Sequence, residues 1–292
     1  MEGTGLAQVF FITETRMLSN LFSGLVISLV NLTPAIKKQV WRYLYWKIAH
    51  PRYDPDFLYM NYGYQYPDRD AAGISLEIED HPFHQSIQLY HKVASGVPLA
   101  GKDVLEIGCG RGSGAAYVAR TFMPSTMTGI DFSARALSFA LDYHRENNLR
   151  FLHGDAESLP LEDCAFDAVI NVESSHCYSS FDRFIAEVNR VLRPGGHFLI
   201  ADFRTSRGSD SIRRKMAATG FTPLHEEDIT ANVLSSMELT HDFKMRTIEE
   251  KSPLIYRKFV KQFSGTIGSQ AFQYLRSGLW EYRYFVFQKT KQ

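Results

Sequence analysis

Residues 103–114 read Asp-Val-Leu-Glu-Ile-Gly-Cys-Gly-Arg-Gly-Ser-Gly, and the apolar run 115–119 follows them directly. The apolar start predicts a buried strand, the glycines a tight turn, and the following run the start of a helix. Glycine lets the backbone bend sharply and lets a ligand approach the main chain closely. We therefore expect the loop to hold a nucleotide-like ligand. The acidic Glu106 just before the loop favours a ligand that carries a positive group.

Bulk composition is that of a folded domain without a nucleic-acid partner. The chain has 292 residues, 45% of them hydrophobic, which suffices for a sizeable core. Lys+Arg and Asp+Glu both number 32, so the net charge does not favour binding to nucleic acid. The three cysteines lack disulfide or metal spacing, which indicates a reducing compartment and a cytoplasmic protein. No carboxylate or thiol cluster completes a ligand set around His81, His84 and His91, so we expect no metal site.

Residues 18–33 place apolar side chains at helical spacing. The stretch is too short and too polar to span a membrane, which takes about 20 apolar residues. We expect an amphipathic helix that packs on the domain. The alternative is a membrane-surface helix, with peripheral membrane contact through residues 18–47.

Strands and helices alternate after residue 100. Alternation of this kind predicts a mainly parallel sheet with right-handed crossovers and a ligand at the carboxyl ends of its strands. The predicted elements are, in order, strand 103–107, helix 113–121, strand 127–131, helix 133–146, strand 150–153, strand 166–172, helix 180–192 and strand 197–203. The turn 193–196, Arg-Pro-Gly-Gly, is a strong stop signal for the helix before it.

The remainder of the chain has a different pattern. Residues 220–224 predict a short strand, residues 228–277 predict helices only, and residues 282–288 predict a last strand. A helical insertion before a closing strand is typical of a lid over a substrate pocket.

The glycine loop by itself is ambiguous. Residues 110–115 match the G-x-G-x-x-A form of a dinucleotide fingerprint, and Asp131 follows at the spacing of a ribose-binding acid. From these two features alone, a nicotinamide-dependent oxidoreductase stays open.

Four further features make the pattern specific. Glu106 stands inside the first strand, and residues 153–157, His-Gly-Asp-Ala-Glu, follow the third. The fourth strand ends in residues 171–176, Asn-Val-Glu-Ser-Ser-His, and the 193–196 turn leads into the fifth. In this order they resemble the class I S-adenosylmethionine (SAM) methyltransferases over about residues 100–205. The resemblance implies an α/β, Rossmann-like, seven-stranded mainly parallel sheet with helices on both faces and a reversed last strand.

Segments outside that core resemble one family more closely. These segments are 40–43 (Val-Trp-Arg-Tyr), 61–64 (Asn-Tyr-Gly-Tyr), 89–91 (Leu-Tyr-His), 171–178 and 282–283. They are similar to the mycobacterial phthiotriol/phenolphthiotriol dimycocerosate methyltransferases, from about residue 38 to the C-terminus. Members of that family O-methylate a hydroxyl on a long lipid.

The resemblance therefore implies a SAM-dependent enzyme that O-methylates a hydroxyl of an apolar, lipid-like or polyketide-like small molecule. Methylation of carbon or nitrogen on a sterol-like acceptor is the alternative within the class. An NAD-dependent oxidoreductase and a SAM-binding protein without catalysis are the alternatives outside it.

The expected organisation has four parts. They are an N-terminal helical and aromatic segment (1–80), a SAM-binding core (81–227), a helical lid (228–278) and a closing strand (279–292).

The resemblance also implies a set of cofactor contacts. Asp131 would accept the ribose hydroxyl protons, Asp155 would accept from the adenine amino group, and Asn171 would lie near the methionine ammonium. The residues expected at SAM are Glu106, Gly108, Cys109, Gly110, Gly112, Asp131, Phe132, Asp155, Ala156, Asn171, Tyr62 and Tyr64.

Three residues are expected to take part in catalysis. An alcohol is a weak nucleophile while protonated, so a nearby base helps, and histidine has a suitable pKa. His176, just past the fourth strand, is the candidate base. Glu173 would orient that base or touch the cofactor, and Asp202 at the end of the fifth strand would pair with it.

Overall fold

The structure is a computed structural model that describes residues 57–67, 74 and 78–290. The expected helix in 18–33, the 40–43 motif and the segment 18–47 lie outside the described residues.

Seven strands form one sheet, as the sequence predicts. They are β1 (Asp103–Ile107), β2 (Thr126–Asp131), β3 (Leu149–His153), β4 (Phe166–Val172), β5 (Leu192–Arg204), β6 (Phe221–Asp228) and β7 (Glu281–Lys289). Their order is β3-β2-β1-β4-β5-β7-β6. Strands β1 to β5 are parallel, and β7 runs antiparallel to both of its neighbours.

Nine α-helices lie within the described ranges. They are α1 (His84–Ala94), α2 (Ser113–Phe122), α3 (Ala134–Tyr143), α4 (Phe181–Val191), α5 (Ser206–Ala218), α6 (Thr230–Leu239), α7 (His241–Lys251), α8 (Leu254–Phe263) and α9 (Gln270–Arg276). Two short 3₁₀ helices, Ile78–Phe83 and Ser175–Cys177, accompany them. Helices α6 to α9 fill the interval between β6 and β7 and form the predicted helical insertion.

The sheet is buried on both faces. Successive side chains of a strand point to opposite sides, so Val104 joins one apolar core and Leu105 the other. Helix α1 covers the Val104 face, whereas Phe184 of α4 packs on the Leu105 face. Glu106 shares the face of Val104, and this alternation places its carboxylate beneath α1.

Tertiary contacts move some predicted element ends. The helix predicted to Glu146 stops at Tyr143, because His144 turns away and its Nε2 bonds the Arg111 carbonyl at 3.1 Å. Residues 193–196 belong to β5 instead of forming a separate turn. There Gly195 takes a φ of +80°, and Arg193 is anchored to Asp103 and Asp167 at 2.9 and 2.8 Å. Strand β6 extends to Asp228 because it pairs with β7 along its length.

Candidate active site

A cavity of about 950 Å³ opens at the carboxyl ends of β1 to β4. Its wall includes the ends of these strands at Ile107, Asp131, His153 and Val172. This is the edge where parallel sheets of this kind bind ligands. The volume lies at the upper end of the range typical of small-molecule sites.

The glycine loop forms the floor of this cavity. Gly108, Gly110 and Gly112 have φ values of +79°, +55° and +80°. At Gly108 a Cβ would lie 2.4 Å from Ser174 Oγ, so that position excludes any side chain. The Gly108 and Cys109 amides donate to the Ile130 carbonyl at 2.8 and 3.1 Å, which ties the loop to the end of β2.

Asp131 holds the loop and faces the cavity at the same time. Its Oδ2 accepts from the Gly110 amide at 2.8 Å, and its Oδ1 accepts from the Ser133 amide at 2.8 Å. Burial raises the pKa of Asp131, and these backbone hydrogen bonds partly oppose that rise. A carboxylate oxygen carries two lone pairs, so both oxygens can still accept from a ligand's hydroxyl groups.

Residues at and just after the ends of β2 and β3 form one side of the cavity, which combines two aromatic rings with carboxylates. The Phe132 and His153 rings stack with their centroids 6.4 Å apart. Asp155 and Ala156 line the same side, and Asp155 Oδ1 accepts from the Glu157 amide at 3.1 Å. An aromatic ring of a ligand fits against such a wall.

Glu106 and Asn171 support the loop from beneath and do not line the cavity. Tyr90 Oη donates to Glu106 Oε1 at 2.8 Å, whereas Glu106 Oε2 is buried without a partner among the described residues. Burial raises the pKa of Glu106 to about 7, against the lowering effect of the Tyr90 hydrogen bond. Asn171 Nδ2 donates to the Ile107 carbonyl at 2.8 Å and to Ser174 Oγ at 2.7 Å.

A segment that we call the strap, residues 57–67, forms the roof of the cavity. Leu58, Tyr59, Met60 and Asn61 line it, although sequence reasoning did not single out the first three. Their only signal was an aromatic and apolar run next to the 61–64 motif.

Hydrogen bonds fix the strap to the core and to the helical insertion. Tyr59 Oη donates to the Ser113 carbonyl at 3.3 Å, and Arg111 Nη1 donates to the Phe57 carbonyl at 3.3 Å. On the other side, Ser236 Oγ of α6 donates to the Tyr62 carbonyl at 2.8 Å. The strap therefore closes the cavity by bridging two parts of the fold.

Tyr62 and Tyr64, expected at the cofactor, do not line the cavity. Tyr62 stacks on Phe203 at a centroid distance of 5.5 Å, and Tyr64 packs against Tyr66 at 4.8 Å. Both rings are buried in the core, because the strap turns its 58–61 side toward the cavity. Gly112, also expected there, caps α2 behind the loop and is not among the lining residues.

Glu173 is the acid at the junction of the strap, the core and the last strand. Its Oε1 accepts from the Tyr62 amide at 2.8 Å and from Tyr282 Oη at 2.9 Å. It lines the cavity and has a φ of +46°, a conformation that non-glycine residues rarely adopt. Burial raises the pKa of Glu173 to about 7 despite both hydrogen bonds.

The buried Asp202 pairs with the partly buried His176 beside this cavity, and neither residue lines it. His176 Nδ1 bonds Asp202 Oδ1 at 2.8 Å, and Arg204 lies 3.2 Å from Asp202 Oδ2. Burial by itself lowers the pKa of His176, but Cys177 and the Asp202 carboxylate outweigh it and raise the pKa to about 10. Burial raises the pKa of Asp202, but Arg204 and His176 more than reverse this and hold it well below its usual range. His176 therefore carries a proton at neutral pH.

A second, narrower cavity of about 60 Å³ lies between the strap and the insertion. It shares Tyr59, Met60 and Asn61 with the large cavity, and Lys244 of α7 lines it. Asn61 Nδ2 donates to the Ser86 carbonyl at 3.2 Å, whereas its buried Oδ1 has no partner among the described residues. Burial lowers the pKa of Lys244 to about 8, although the negative charge of Glu173 opposes that change.

Neither a metal-binding cluster nor a membrane-spanning helix occurs among the described residues. Within 57–67, 74 and 78–290, no three His, Cys, Asp or Glu side chains come close enough together to hold a metal ion. In the same ranges, no helix has the length and apolar character required to cross a membrane.

Comparison with known proteins supports a common fold and chemistry. Residues 105–200 match the model of the Methyltransferase domain family. Over 252 residues, the chain is 38% identical to a phthiotriol/phenolphthiotriol dimycocerosates methyltransferase of Mycobacterium tuberculosis. The aligned region covers 86% of this chain and 93% of the relative. Over 263 residues, the chain is 37% identical to a fatty-acid O-methyltransferase of Mycolicibacterium smegmatis. This aligned region covers 90% of this chain and 93% of that relative.

A solved structure has the same fold. The structure of a geranyl diphosphate methyltransferase in complex with SAM superposes with a TM-score of 0.59 at 19% sequence identity. The superposition covers 80% of this chain and 100% of that chain.

Proposed function

Since this chain belongs to the phthiotriol/phenolphthiotriol dimycocerosates methyltransferase family of class I SAM-dependent methyltransferases, we propose that it methylates an oxygen atom of an apolar, lipid-like acceptor. Membership of this family resolves the ambiguity of the glycine loop in favour of SAM over a nicotinamide cofactor. The names of both relatives refer to lipids, a phthiotriol ester and a fatty acid.

The large cavity suits SAM residue by residue. Asp131 offers two acceptor oxygens to the ribose hydroxyls, and the stacked Phe132 and His153 rings offer a wall for the adenine. Behind the loop, the unpartnered buried oxygen of Glu106 supplies acceptor capacity toward a positively charged ligand. When bound, SAM supplies a methyl group on a positively charged sulfur.

The narrow cavity is the observation that best supports the proposal of a lipid-like acceptor. Phe83, Phe243 and Val260 contribute to a mostly apolar lining, and the shared strap residues set it directly beside the cofactor cavity. Burial of an alkyl chain there is favourable by about 0.8 kcal/mol per CH₂ group. The strap and the lid helices exclude water from the reacting atoms, which a displacement at carbon requires.

The proton of a hydroxyl acceptor would go to Glu173. This carboxylate lines the cofactor cavity, and its pKa near 7 suits a general base at neutral pH. His176, the base expected from the sequence, is protonated at neutral pH and bonded to Asp202. We therefore propose that His176 and Asp202 position the 175–178 turn and that Glu173 accepts the proton.

Incubation with methyl-labelled SAM tests the proposal. The purified enzyme is given 1-dodecanol, dodecanoate, a sterol and a long-chain amine in separate reactions, and the products are resolved by mass spectrometry. We expect label on oxygen only. Label on the carbon or nitrogen acceptors, or label in no product while SAM still binds, would contradict it. Contact of residues 18–47 with a membrane surface stays a separate prediction.

A further inference from the structure

Residues 251–280 carry basic side chains and no acidic ones. Five Lys and Arg residues occur in this stretch, and Asp and Glu are absent from it. The whole chain has 32 basic and 32 acidic residues, so the stretch is basic against a neutral background. A local excess of one charge attracts partners of the opposite charge. The stretch, which includes helix α8, therefore favours an anionic partner.

Helix α8 presents most of this charge on one side. Leu254, Arg257, Lys258 and Lys261 follow the spacing i, i+3, i+4, i+7, which places side chains on the same side of a helix. We call this side the basic face. Leu254 is 53% exposed and Lys258 is exposed, whereas Arg257 and Lys261 are partly buried. A helix side that combines cations with an exposed apolar side chain is typical of contact with a lipid surface.

The other side of α8 faces the protein. Val260 is buried, and it lines the narrow cavity together with Phe263. Helical spacing of about 100° per residue puts these two side chains well away from Leu254 and Lys258. Helix α8 therefore has one side at the proposed site of the alkyl chain and the basic face on the outside.

The acids next to the basic face reduce its charge without cancelling it. Glu249 of α7 pairs with Lys261 at 3.1 Å, which offsets one cation, and Glu250 beside it is exposed. Lys251 at the end of α7 adds a further exposed cation. Residues 249–261 thus contain four cations and two acids, so the local excess stays positive.

We infer that the basic face of α8 docks on the surface of an anionic lipid bilayer. The docking stands on charge and exposure, whereas its purpose, to receive the acceptor from the bilayer, rests on the proposed function. Transfer of an alkyl chain through water is disfavoured about fourfold for each CH₂ group. Contact between α8 and the bilayer shortens that passage, because Val260 and Phe263 of the same helix line the narrow cavity.

Electrostatic attraction sets the expected strength of the docking. Each Lys or Arg beside an anionic bilayer strengthens binding about fivefold. Replacement of Lys258 by glutamate removes one cation and adds an anion, so it should weaken binding about 25-fold. Salt screens such contacts, since the Debye length falls from about 10 Å at 0.1 M to about 3 Å at 1 M. Binding should therefore fall steeply as the ionic strength rises.

Co-sedimentation with sucrose-loaded vesicles measures the docking. The full-length protein is mixed with vesicles of phosphatidylcholine alone, or of phosphatidylcholine mixed with the anionic lipid phosphatidylglycerol. Wild type is compared with Lys258→Glu, with Leu254→Ala and with the matched controls Arg214→Glu and Leu141→Ala. The bound fraction is measured at low salt and at about 1 M salt.

The controls make the same changes away from the basic face. Arg214 is exposed on α5, and Ile212 of that helix packs in the core on the opposite side of the sheet from Met237 of the insertion. Leu141 is 58% exposed on α3, much as Leu254 is on α8. SAM affinity and circular dichroism verify that each variant is folded.

We expect wild type to bind the mixed vesicles about tenfold or more above phosphatidylcholine vesicles, and to lose that preference at about 1 M salt. Lys258→Glu should lose about tenfold or more on the mixed vesicles. Leu254→Ala should lose several-fold on both kinds of vesicle, and the two controls should bind as wild type does.

Three outcomes would overturn the docking. They are equal binding of Lys258→Glu and Arg214→Glu, binding of wild type to neither kind of vesicle, and binding that all the variants share, which would place the contact on another part of the chain. Sedimentation without vesicles checks for a second copy of the chain on the same face. A dimer that Lys258→Glu dissociates, with no vesicle binding, would identify that copy as the occupant and overturn the lipid surface.

Turnover separates this inference from the proposed function. Lys258 lies outside both cavities, so Lys258→Glu should methylate 1-dodecanol in solution as wild type does. On a long-chain alcohol embedded in the mixed vesicles, the same variant should be slower by about the factor that it loses in binding. Equal rates on the embedded alcohol would overturn delivery by docking. Docking without methyl transfer would contradict the proposed function alone, and methyl transfer without docking would contradict this inference alone.

Discussion

Replacement of His176 by asparagine should flatten the dependence of stability on pH. The asparagine amide occupies the place of Nδ1 and can still donate to Asp202, but it cannot take up a proton. In wild type the folded-state pKa of His176 is about 10, above its usual 6.5. Its contribution to stability is therefore fully present below pH 6.5 and is lost as the pH rises through 10.

The size of the effect follows from the width of that window. A shift from 6.5 to about 10 corresponds to an upper limit of about 5 kcal/mol at about 1.4 kcal/mol per pH unit. Part of the shift comes from Cys177 and not from Asp202, and the His176 side chain is 19% exposed. We therefore expect about 2–4 kcal/mol over the window, and about 2 kcal/mol between pH 7 and 9.

Urea unfolding at pH 6, 7, 8 and 9, followed by circular dichroism under reducing conditions, measures this difference. Lys244 acts in the opposite direction, since its folded-state pKa of about 8 makes stability rise between pH 8 and 10.5. That contribution is common to both proteins and cancels in the difference between wild type and His176→Asn. A difference that stays constant from pH 6 to 9 would refute the protonated His176–Asp202 pair.

The His176→Asn variant also tests the proposal that Glu173, and not His176, is the base. Because His176 carries a proton at neutral pH, His176→Asn should methylate its acceptor at pH 7.5 within a few-fold of wild type. A loss of more than about 100-fold, with SAM affinity unchanged, would restore His176 as the base.

Three further substitutions have expected outcomes. Asp131→Ala removes the acceptor of the Gly110 and Ser133 amides and should weaken SAM binding by more than about 100-fold in calorimetry; near-normal affinity would contradict the role of Asp131. Gly114→Ala places a Cβ 1.9 Å from Tyr90 Cζ and should lower the free energy of urea unfolding by about 1–3 kcal/mol; unchanged stability would mean that Tyr90 moves freely. Glu173→Gln keeps the Oε1 acceptor but removes the carboxylate. The folded-state pKa of that carboxylate is raised from 4.5 to about 7. The ionisation of Glu173 therefore lowers the stability of the wild type as the pH rises from 4.5 to about 7. The variant should gain about 1–3 kcal/mol at pH 8 and lose ether formation from alcohols while keeping methyl ester formation from acids; equal losses on both acceptors would argue against Glu173 as a base.

The core fold could be predicted from local sequence patterns. The buried strand 103–107, its glycine loop and the helix after it have the predicted bounds to within one residue, because burial, turn and helix signals lie within a few residues. Element ends that depend on distant contacts were predicted less well. Helix α3 ends three residues early at the His144–Arg111 contact, and β6 is longer because β7 pairs with it.

The site residues show the same difference between local patterns, which the sequence reveals, and distant contacts, which it does not. The glycine loop, Asp131, Asp155 and Glu173 line the cavity because each follows directly from a strand end. Tyr62 and Tyr64 do not, since the packing of the strap decides which of its sides faces inward, and the sequence of the strap does not specify that packing.

The sequence by itself determined the sheet and the glycine loop, since both depend on side-chain periodicity and on glycines within short segments. The cofactor class followed from the resemblance of several motifs, taken in order, to the SAM methyltransferases. Only the tertiary structure decided that Glu173 faces the cavity while its carboxylate is held by the strap. Tyr62 and Glu173 are 111 residues apart and bond only because the strap crosses the end of β4.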